Sequence, residues 1–389
     1  MDYYRSFTFD FAGAIKYGMG TANSVGEEAK KLGARRVLIV TDKGIVKAGL
    51  VDKSKQFLKL SKIETLVFDE VEPNPRDKTM DKGSEVACKE RVDLIVGIGG
   101  GSALDVAKAI ALLATNGGSI CDYCGEDEVR TPPLPLIVIP TTAGTGSEVS
   151  PWISLEDTST LPPTKTAVYS RLVSPRLTLA DPLMTKSLPP FMTASIGMDG
   201  LTSGIEAYTS LEASPLTDAL SLYSVQLMAN SLPRAFANGD DLEARAKMML
   251  GSLMAGIAFI NSSVGGVHSM ALAIGGLYDT PHGLSCAVFL PYVMEYNLIA
   301  NPKKYADIAQ AMGENVTGLS IKEAALKSVE AVRNLMKDIG IPSPQEIGVQ
   351  VADIPKLANI ALASHCSLSN PRKPTEEDFV KVLKHAMDL

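Results

Sequence analysis

Histidine is the scarcest informative residue of this chain, with four in 389 positions, and tryptophan occurs once. Basic runs are absent. Acidic residues outnumber Lys and Arg by 44 to 37, for a formal charge of −7. A protein that neutralises nucleic-acid phosphates needs a concentrated basic surface, so nucleic-acid partners are excluded. No apolar run approaches the roughly 20 residues that span a bilayer, and no basic stretch leading into an apolar one marks a signal peptide. Five cysteines, an odd number in a long chain, read as reduced thiols rather than a disulfide framework. A cytoplasmic enzyme without a membrane partner is the expectation. Cys121 and Cys124 form a lone CxxC. With no second pair nearby, the spacing fits a loop better than a zinc or redox motif.

What is present in quantity is apolar sequence, 46% of the residues. That is enough for a large core, and the length favours two domains. In the first half, β-branched runs at 36–41, 65–68, 94–98 and 136–140 alternate with helical patterns such as 24–32. Strands separated by helices imply crossovers and a mostly parallel, doubly wound α/β sheet over about residues 1–184. Beyond Asp181-Pro182 the texture becomes helical, with expected helices at 193–211, 215–238, 242–260, 267–275 and 322–339. The fold class is therefore α/β followed by all-α, with residues 185–389 as the helical domain. Met248, Met249 and Met254 read as core filler. A cleft between the domains is the default ligand site.

Gly97, Gly99, Gly100, Gly101 and Ser102 lie between a strand and a helical stretch. Glycines there let a ligand approach the backbone, and a helix N-terminus directs its N–H groups at an anion. The segment reads as a pyrophosphate cradle, against the plainer reading of a tight turn. Its spacing is not GxGxxG. A second glycine- and hydroxyl-rich loop, Thr141 to Glu148, also leaves the carboxyl end of a strand, where open sheets bind ligands. Two such loops on one sheet edge fit a single extended ligand. Asp42 ends the first strong strand. It is placed either to hold a ribose diol and repel a 2′-phosphate or simply to cap a helix.

The segment 266–284 is nearly free of charge and holds His268 and His282, fourteen residues apart, with Asp199 upstream. Two imidazoles and a carboxylate with an open fourth position suit a catalytic divalent metal. Histidines satisfied within an apolar core are the competing reading.

Four motifs occur in order: GGGSALDVAK at 99–108, PTTAGTGSE at 140–148, GMDGLTSGIEAY at 197–208 and PHGLSCAVFLPYVMEYN at 281–297. With VEPNP at 71–75 and NPRKPT at 370–375, the chain resembles the iron-containing (group III) alcohol dehydrogenases from about residue 8 to its end. The resemblance implies that Gly99, Gly100, Gly101 and Ser102 wrap a pyrophosphate, with Thr141, Thr142 and Thr145 along the nucleotide. It implies that Asp42 favours NAD over NADP and that Asp105 and Lys165 line the nicotinamide region. Asp199, His268 and His282 would hold Fe2+ or Zn2+.

The chain departs from the usual pattern twice. Ser203 stands where that pattern has a fourth-ligand histidine, and Leu272 stands where it has a further histidine. Asp199, His268 and His282 still match the three-ligand set of the related zinc-holding glycerol dehydrogenases. The resemblance implies an NAD(H)-dependent oxidoreductase of small alcohols or aldehydes, working as a homodimer or larger homo-oligomer. Competing expectations are a metal-independent reductase of the same family and a nucleotide-binding protein with weakened catalysis. A lyase of dehydroquinate-synthase type would need Lys and Arg in 197–283, which holds few.

Overall fold

The computed structural model describes residues 5–160 and 164–389, which fold into two compact units. Residues 11–142 and 146–188 form the first; residues 5–10, 143–145 and 189–389 form the second.

The first unit contains β1 (Ala14–Tyr17), β2 (Arg36–Val40), β3 (Glu64–Phe68), β4 (Leu94–Gly99), β5 (Gly125–Glu126), β6 (Leu136–Pro140), β7 (Trp152–Asp157), β8 (Thr164–Tyr169) and β9 (Leu177–Ala180). Its helices are α1 (Val25–Lys31), α2 (Lys43–Lys47), α3 (Leu50–Leu60), α4 (Asp77–Lys89) and α5 (Gly101–Asn116). Six strands pair in the order β1-β9-β6-β4-β2-β3, all parallel. Alternate residues of β2 face opposite sides of the sheet, as a pleat of period two requires. Val37 and Ile39 pack with α1 and α3, whereas Leu38 and Val40 pack with α4 and α5. Helices on both faces bury every residue of β4 and β6, which is why these strands are unbroken apolar runs.

The alternation of strand and helix breaks once. β7 and β8 pair antiparallel, with β5 alongside, in a separate three-stranded sheet. Their inward residues, Ile153, Leu155 and Val168, join the α4–α5 core. Half-buried strands of mixed polarity do not give the continuous apolar signal of β2 or β4, so the sequence pattern passed over them.

A lysine ties this sheet to α5. Lys108 is fully buried, and its Nζ donates to Asp105 Oδ1 at 3.0 Å, Ser147 Oγ at 2.9 Å and the Trp152 carbonyl at 2.8 Å. Asp105 Oδ2 accepts from the Ser154 amide at 3.1 Å, and Ser147 Oγ also donates to Asp105 Oδ1. A buried ammonium is tolerable only with such a full set of partners. Next in sequence, Glu148 is also buried, and the Thr178 hydroxyl donates to its carbonyl at 2.6 Å.

The second unit is helical: α6 (Pro190–Thr209), α7 (Pro215–Ala237), α8 (Leu242–Ser262), α9 (Gly266–Tyr278), α10 (His282–Asn297), α11 (Pro302–Ala311), α12 (Ile321–Asp338), α13 (Ile354–Ala363) and α14 (Glu376–Ala386). The expected helices match α6–α9 and α12 within a few residues. α10 escaped the sequence pattern because it is apolar on all sides, with Gly283 to Pro291 buried throughout and Pro291 inside it. A helix without a polar face has no amphipathic period to detect. α6 is likewise buried almost from end to end. Among the described residues no single helix is long and apolar enough to cross a membrane.

Burial lifts the Glu148 carboxyl to about 7, against the opposing pull of its own backbone amide and of Lys108. The folded state therefore holds a proton that the unfolded chain, near 4.5, releases. By linkage, this group's contribution to stability is whole below pH 4.5 and is lost as pH rises to about 7. The total is on the order of 3 kcal/mol, because each tenfold difference in proton affinity between the two states is worth about 1.4 kcal/mol. Urea melts of Glu148→Gln between pH 4.5 and 7.5 are expected to lack this decline; a slope equal to that of the parent would refute a protonated Glu148.

Candidate active site

One candidate site is built on sheet and helix ends. β4 runs into α5 through Gly99 and Gly100, and no side chain caps the α5 N-terminus. A Cβ on Gly99 would lie 2.6 Å from the Ala103 Cβ, so only glycine lets the chain turn this tightly into the helix. Thr142 packs over Gly100, within 3.2 Å of where a Cβ would stand. At the end of β6, the Thr141 hydroxyl is buried and without a hydrogen-bond partner. Uncapped N–H groups at a helix start, a close-approach glycine and an unpaired hydroxyl suit a pyrophosphate with a ribose beside it. The residues present fit a dinucleotide.

Asp42 is the cap of α2, one of the two roles its sequence context allows. Its Oδ1 accepts from the Ile45 amide at 3.0 Å, capping α2, while Oδ2 stands 3.7 Å from the Cβ position of Gly99. Ser102 is half-buried in the first turn of α5. Asp105 lies deeper, with its carboxylate engaged by Lys108, Ser147 and Ser154. Lys165, on β8, donates to Asn74 Oδ1 at 3.2 Å. Thr145 belongs to the three-residue segment 143–145 that clusters with the helical unit. Cys121 and Cys124 are free thiols, and burial pushes Cys121 up to about 12, so Cys121 is not set up as a reactive thiolate.

A second candidate site lies within the helical unit. Asp199, on α6, places Oδ1 3.8 Å from His268 Nε2 on α9 and 3.8 Å from His282 Nε2 at the start of α10. The two imidazole centroids are 5.5 Å apart. The approach of α10 to α6 depends on Gly283, where a Cβ would fall 2.5 Å from the Ser195 carbonyl oxygen and 3.1 Å from the Asp199 Cβ. Ser203, one turn along α6 from Asp199, sets its hydroxyl 3.5 Å from His268 Nε2. Leu272 is one turn along α9 from His268 and half-buried.

Glu206 is the residue that sequence reasoning missed. Two turns along α6 from Asp199, it accepts from the amides of Gly265 at 2.8 Å and Val267 at 2.7 Å. It also pairs with His268 Nδ1 at 2.6 Å. α9 has no capping side chain of its own, so Glu206 caps it from across the packing interface. The signal was available in Asp199, Ser203 and Glu206, which recur at helical spacing in GMDGLTSGIEAY. With Nδ1 bound to a carboxylate, His268 turns Nε2 toward Asp199 and His282. Burial disfavours the imidazolium of His268, yet the Glu206 hydrogen bond and the charges of Glu206 and Asp199 outweigh it and raise its pKa. That excess of negative charge, with two nitrogens converging on one carboxylate oxygen, is the donor chemistry of a divalent-cation site. The residues fit a metal.

Residues 12–182 match the iron-containing alcohol dehydrogenase family, and residues 193–387 match the C-terminal region of the Fe-containing alcohol dehydrogenase family. The chain belongs to the iron-containing alcohol dehydrogenase family. It is 43% identical to the 1,3-propanediol dehydrogenase of Klebsiella pneumoniae over 386 residues, 98% of this chain and 99% of the relative. The NAD-dependent methanol dehydrogenase of Bacillus methanolicus is 39% identical over 371 residues, 95% of this chain and 97% of that one. A crystal structure of 1,3-propanediol oxidoreductase superposes with a TM-score of 0.96 at 42% identity, covering 98% of this chain and 100% of that chain. As a member of this family the chain is an oxidoreductase of alcohols, and the family uses NAD(H) and a metal.

Removing Glu206 leaves the α9 amides without their acceptor and frees the His268 ring to turn. Glu206→Ala is expected to weaken metal binding about 10–100-fold, the usual cost of losing the group that orients a ligand. Competition for Zn2+ against a chromogenic chelator measures it. Unchanged affinity would mean that packing alone fixes His268.

Proposed function

We propose that this chain catalyses NAD(H)-dependent interconversion of a small alcohol and its aldehyde in the cytoplasm, as a homo-oligomer, with a divalent Fe2+ or Zn2+ held by Asp199, His268 and His282. The observation that carries it is the convergence of both Nε2 atoms on Asp199 Oδ1 at 3.8 Å. When bound, the ion polarises the alcohol or carbonyl oxygen, and the nicotinamide takes or returns the hydride. The protein supplies everything that fixes geometry. Glu206 locks the His268 tautomer so that Nε2 offers its lone pair. Asp199, 3% exposed, supplies negative charge where water screens it little. Thr141 Oγ1 and the α5 N-terminus hold the nucleotide, and Asp42 disfavours a 2′-phosphate by like charge. Ser203, buried beside His268, offers a hydroxyl through which the alcohol proton can pass. Leu272 supports an apolar wall for a short hydrocarbon substrate. Five free thiols support a reducing compartment.

NADH oxidation with short aldehydes is the direct test, on chelator-treated protein and again after anaerobic Zn2+ or Fe2+. Activity is expected only after metal is restored; equal rates without metal would replace this mechanism with a metal-independent one. Asp42→Gly is expected to raise kcat/KM for NADPH relative to NADH by at least about tenfold, or 1.4 kcal/mol of differential binding. An unchanged ratio would leave Asp42 as an α2 cap alone.

A further inference from the structure

One more donor stands at the metal centre. Cys286 lies one turn after His282 on α10, fully buried, and its Sγ is 3.7 Å from His282 Nε2. One ligand atom from each of Asp199, His268, His282 and Cys286 lies within 4.8 Å of the others. The spacing has a simple origin. His282 and Cys286 are four residues apart in the first turns of α10, as Asp199 and Ser203 are on α6, so each helix offers two side chains from one face.

The distances suit a shared ion. Donors at about 2.0–2.3 Å from one centre stand about 3.3–3.7 Å from each other in a tetrahedron. The two Asp199–histidine separations of 3.8 Å and the Cys286–His282 separation of 3.7 Å are close to that edge. Ser203 is also near, at 3.5 Å from His268 Nε2, but a neutral hydroxyl is a far weaker donor than a thiolate.

We infer that Cys286 Sγ is the fourth protein ligand of this centre, joining Asp199, His268 and His282, and that the thiolate tilts the site toward Zn2+ over Fe2+. The inference rests on the proposed metal site being real. On binding, a metal–sulfur bond forms as the S–H bond breaks, and the proton leaves to solvent; no electron is transferred. A carboxylate, two imidazoles and a thiolate form a mixed N, O and S set of the kind zinc accepts, while thiolate softness separates zinc from harder ions. A four-coordinate zinc centre can still admit an alcohol oxygen by expanding to five ligands.

X-ray absorption at the zinc edge of the full-length, zinc-loaded protein tests this, with metal content measured on the same sample. The expected result is zinc bound in equimolar amount with a sulfur shell at about 2.3 Å, distinct from the nitrogen and oxygen shell at about 2.0–2.2 Å. Cys286→Ser should lose the sulfur shell. A variant with Cys88, Cys121, Cys124 and Cys366 all changed to Ser, which keeps Cys286 as its one thiol, should retain it, and this decides the matter if Cys286→Ser fails to fold. In anaerobic competition, the Zn2+ to Fe2+ ratio bound should fall at least about tenfold in Cys286→Ser. Bound zinc with only nitrogen and oxygen neighbours would overturn the role of Cys286 and leave the three-ligand site standing. A sulfur shell lost in the variant that keeps only Cys286 would overturn it too. Failure to bind zinc at all would overturn both.

Discussion

The buried carboxylate of Glu206 is the contact on which the helical unit's chemistry depends. It takes the amides at the start of α9 and the His268 ring nitrogen together, at 2.6–2.8 Å. A helix that begins in an apolar interior needs an acceptor for its first N–H groups. Supplying that acceptor from α6 fixes how α9 starts, and His268 lies in that first turn. One carboxylate thus serves as helix cap and as histidine orienter. Because Asp199 sits two turns earlier on the same helix, the orienting group and the proposed ligand share one rigid element. Gly283 completes the arrangement from the other side by letting α10 press its N-terminus onto the Ser195 carbonyl and Asp199.

The nucleotide-type unit uses a different device. Its recognition surface is backbone and hydroxyl: the α5 N-terminus, the close turn at Gly99 and the unpaired Thr141. Such a surface must be held still from behind. Lys108 does so, joining α5 to Ser147 and to the Trp152 carbonyl at the start of β7. Asp105, which the family resemblance placed beside the nicotinamide, belongs to the same network. The GGGSALDVAK and PTTAGTGSE motifs are therefore physically coupled, with the first supplying the charges that pin the second.

The replacement of a usual histidine by Ser203 and the presence of Cys286 belong to one problem. A buried acidic centre containing Asp199 and Glu206 concentrates negative charge in a medium that screens it poorly. Burial and these two charges push the Cys286 thiol well above its ordinary pKa, so without a cation it stays protonated. A divalent ion at the proposed site would relieve that repulsion and give both histidines a common partner.

The parallel strands, the helical second half, the glycine loops and the Asp199–His268–His282 set were legible in the sequence because each leaves a local mark: β-branched runs, helical periods, or scarce residues in an apolar stretch. The β7–β8 pair left only a weak alternation, and α10 left no clear period because Gly283 to Pro291 are buried throughout. Glu206 read as one more position of the expected helix at 193–211, and Cys286 lay in a segment with no recognised period. Their importance comes from which helix faces meet, and that depends on side-chain volumes such as the missing Cβ of Gly283, summed over α6, α9 and α10. Sequence alone determined which chemistry is on hand, because residue type is local. Only the tertiary structure decided which atoms share a centre, because packing brings together residues up to 87 positions apart, such as Asp199 and Cys286.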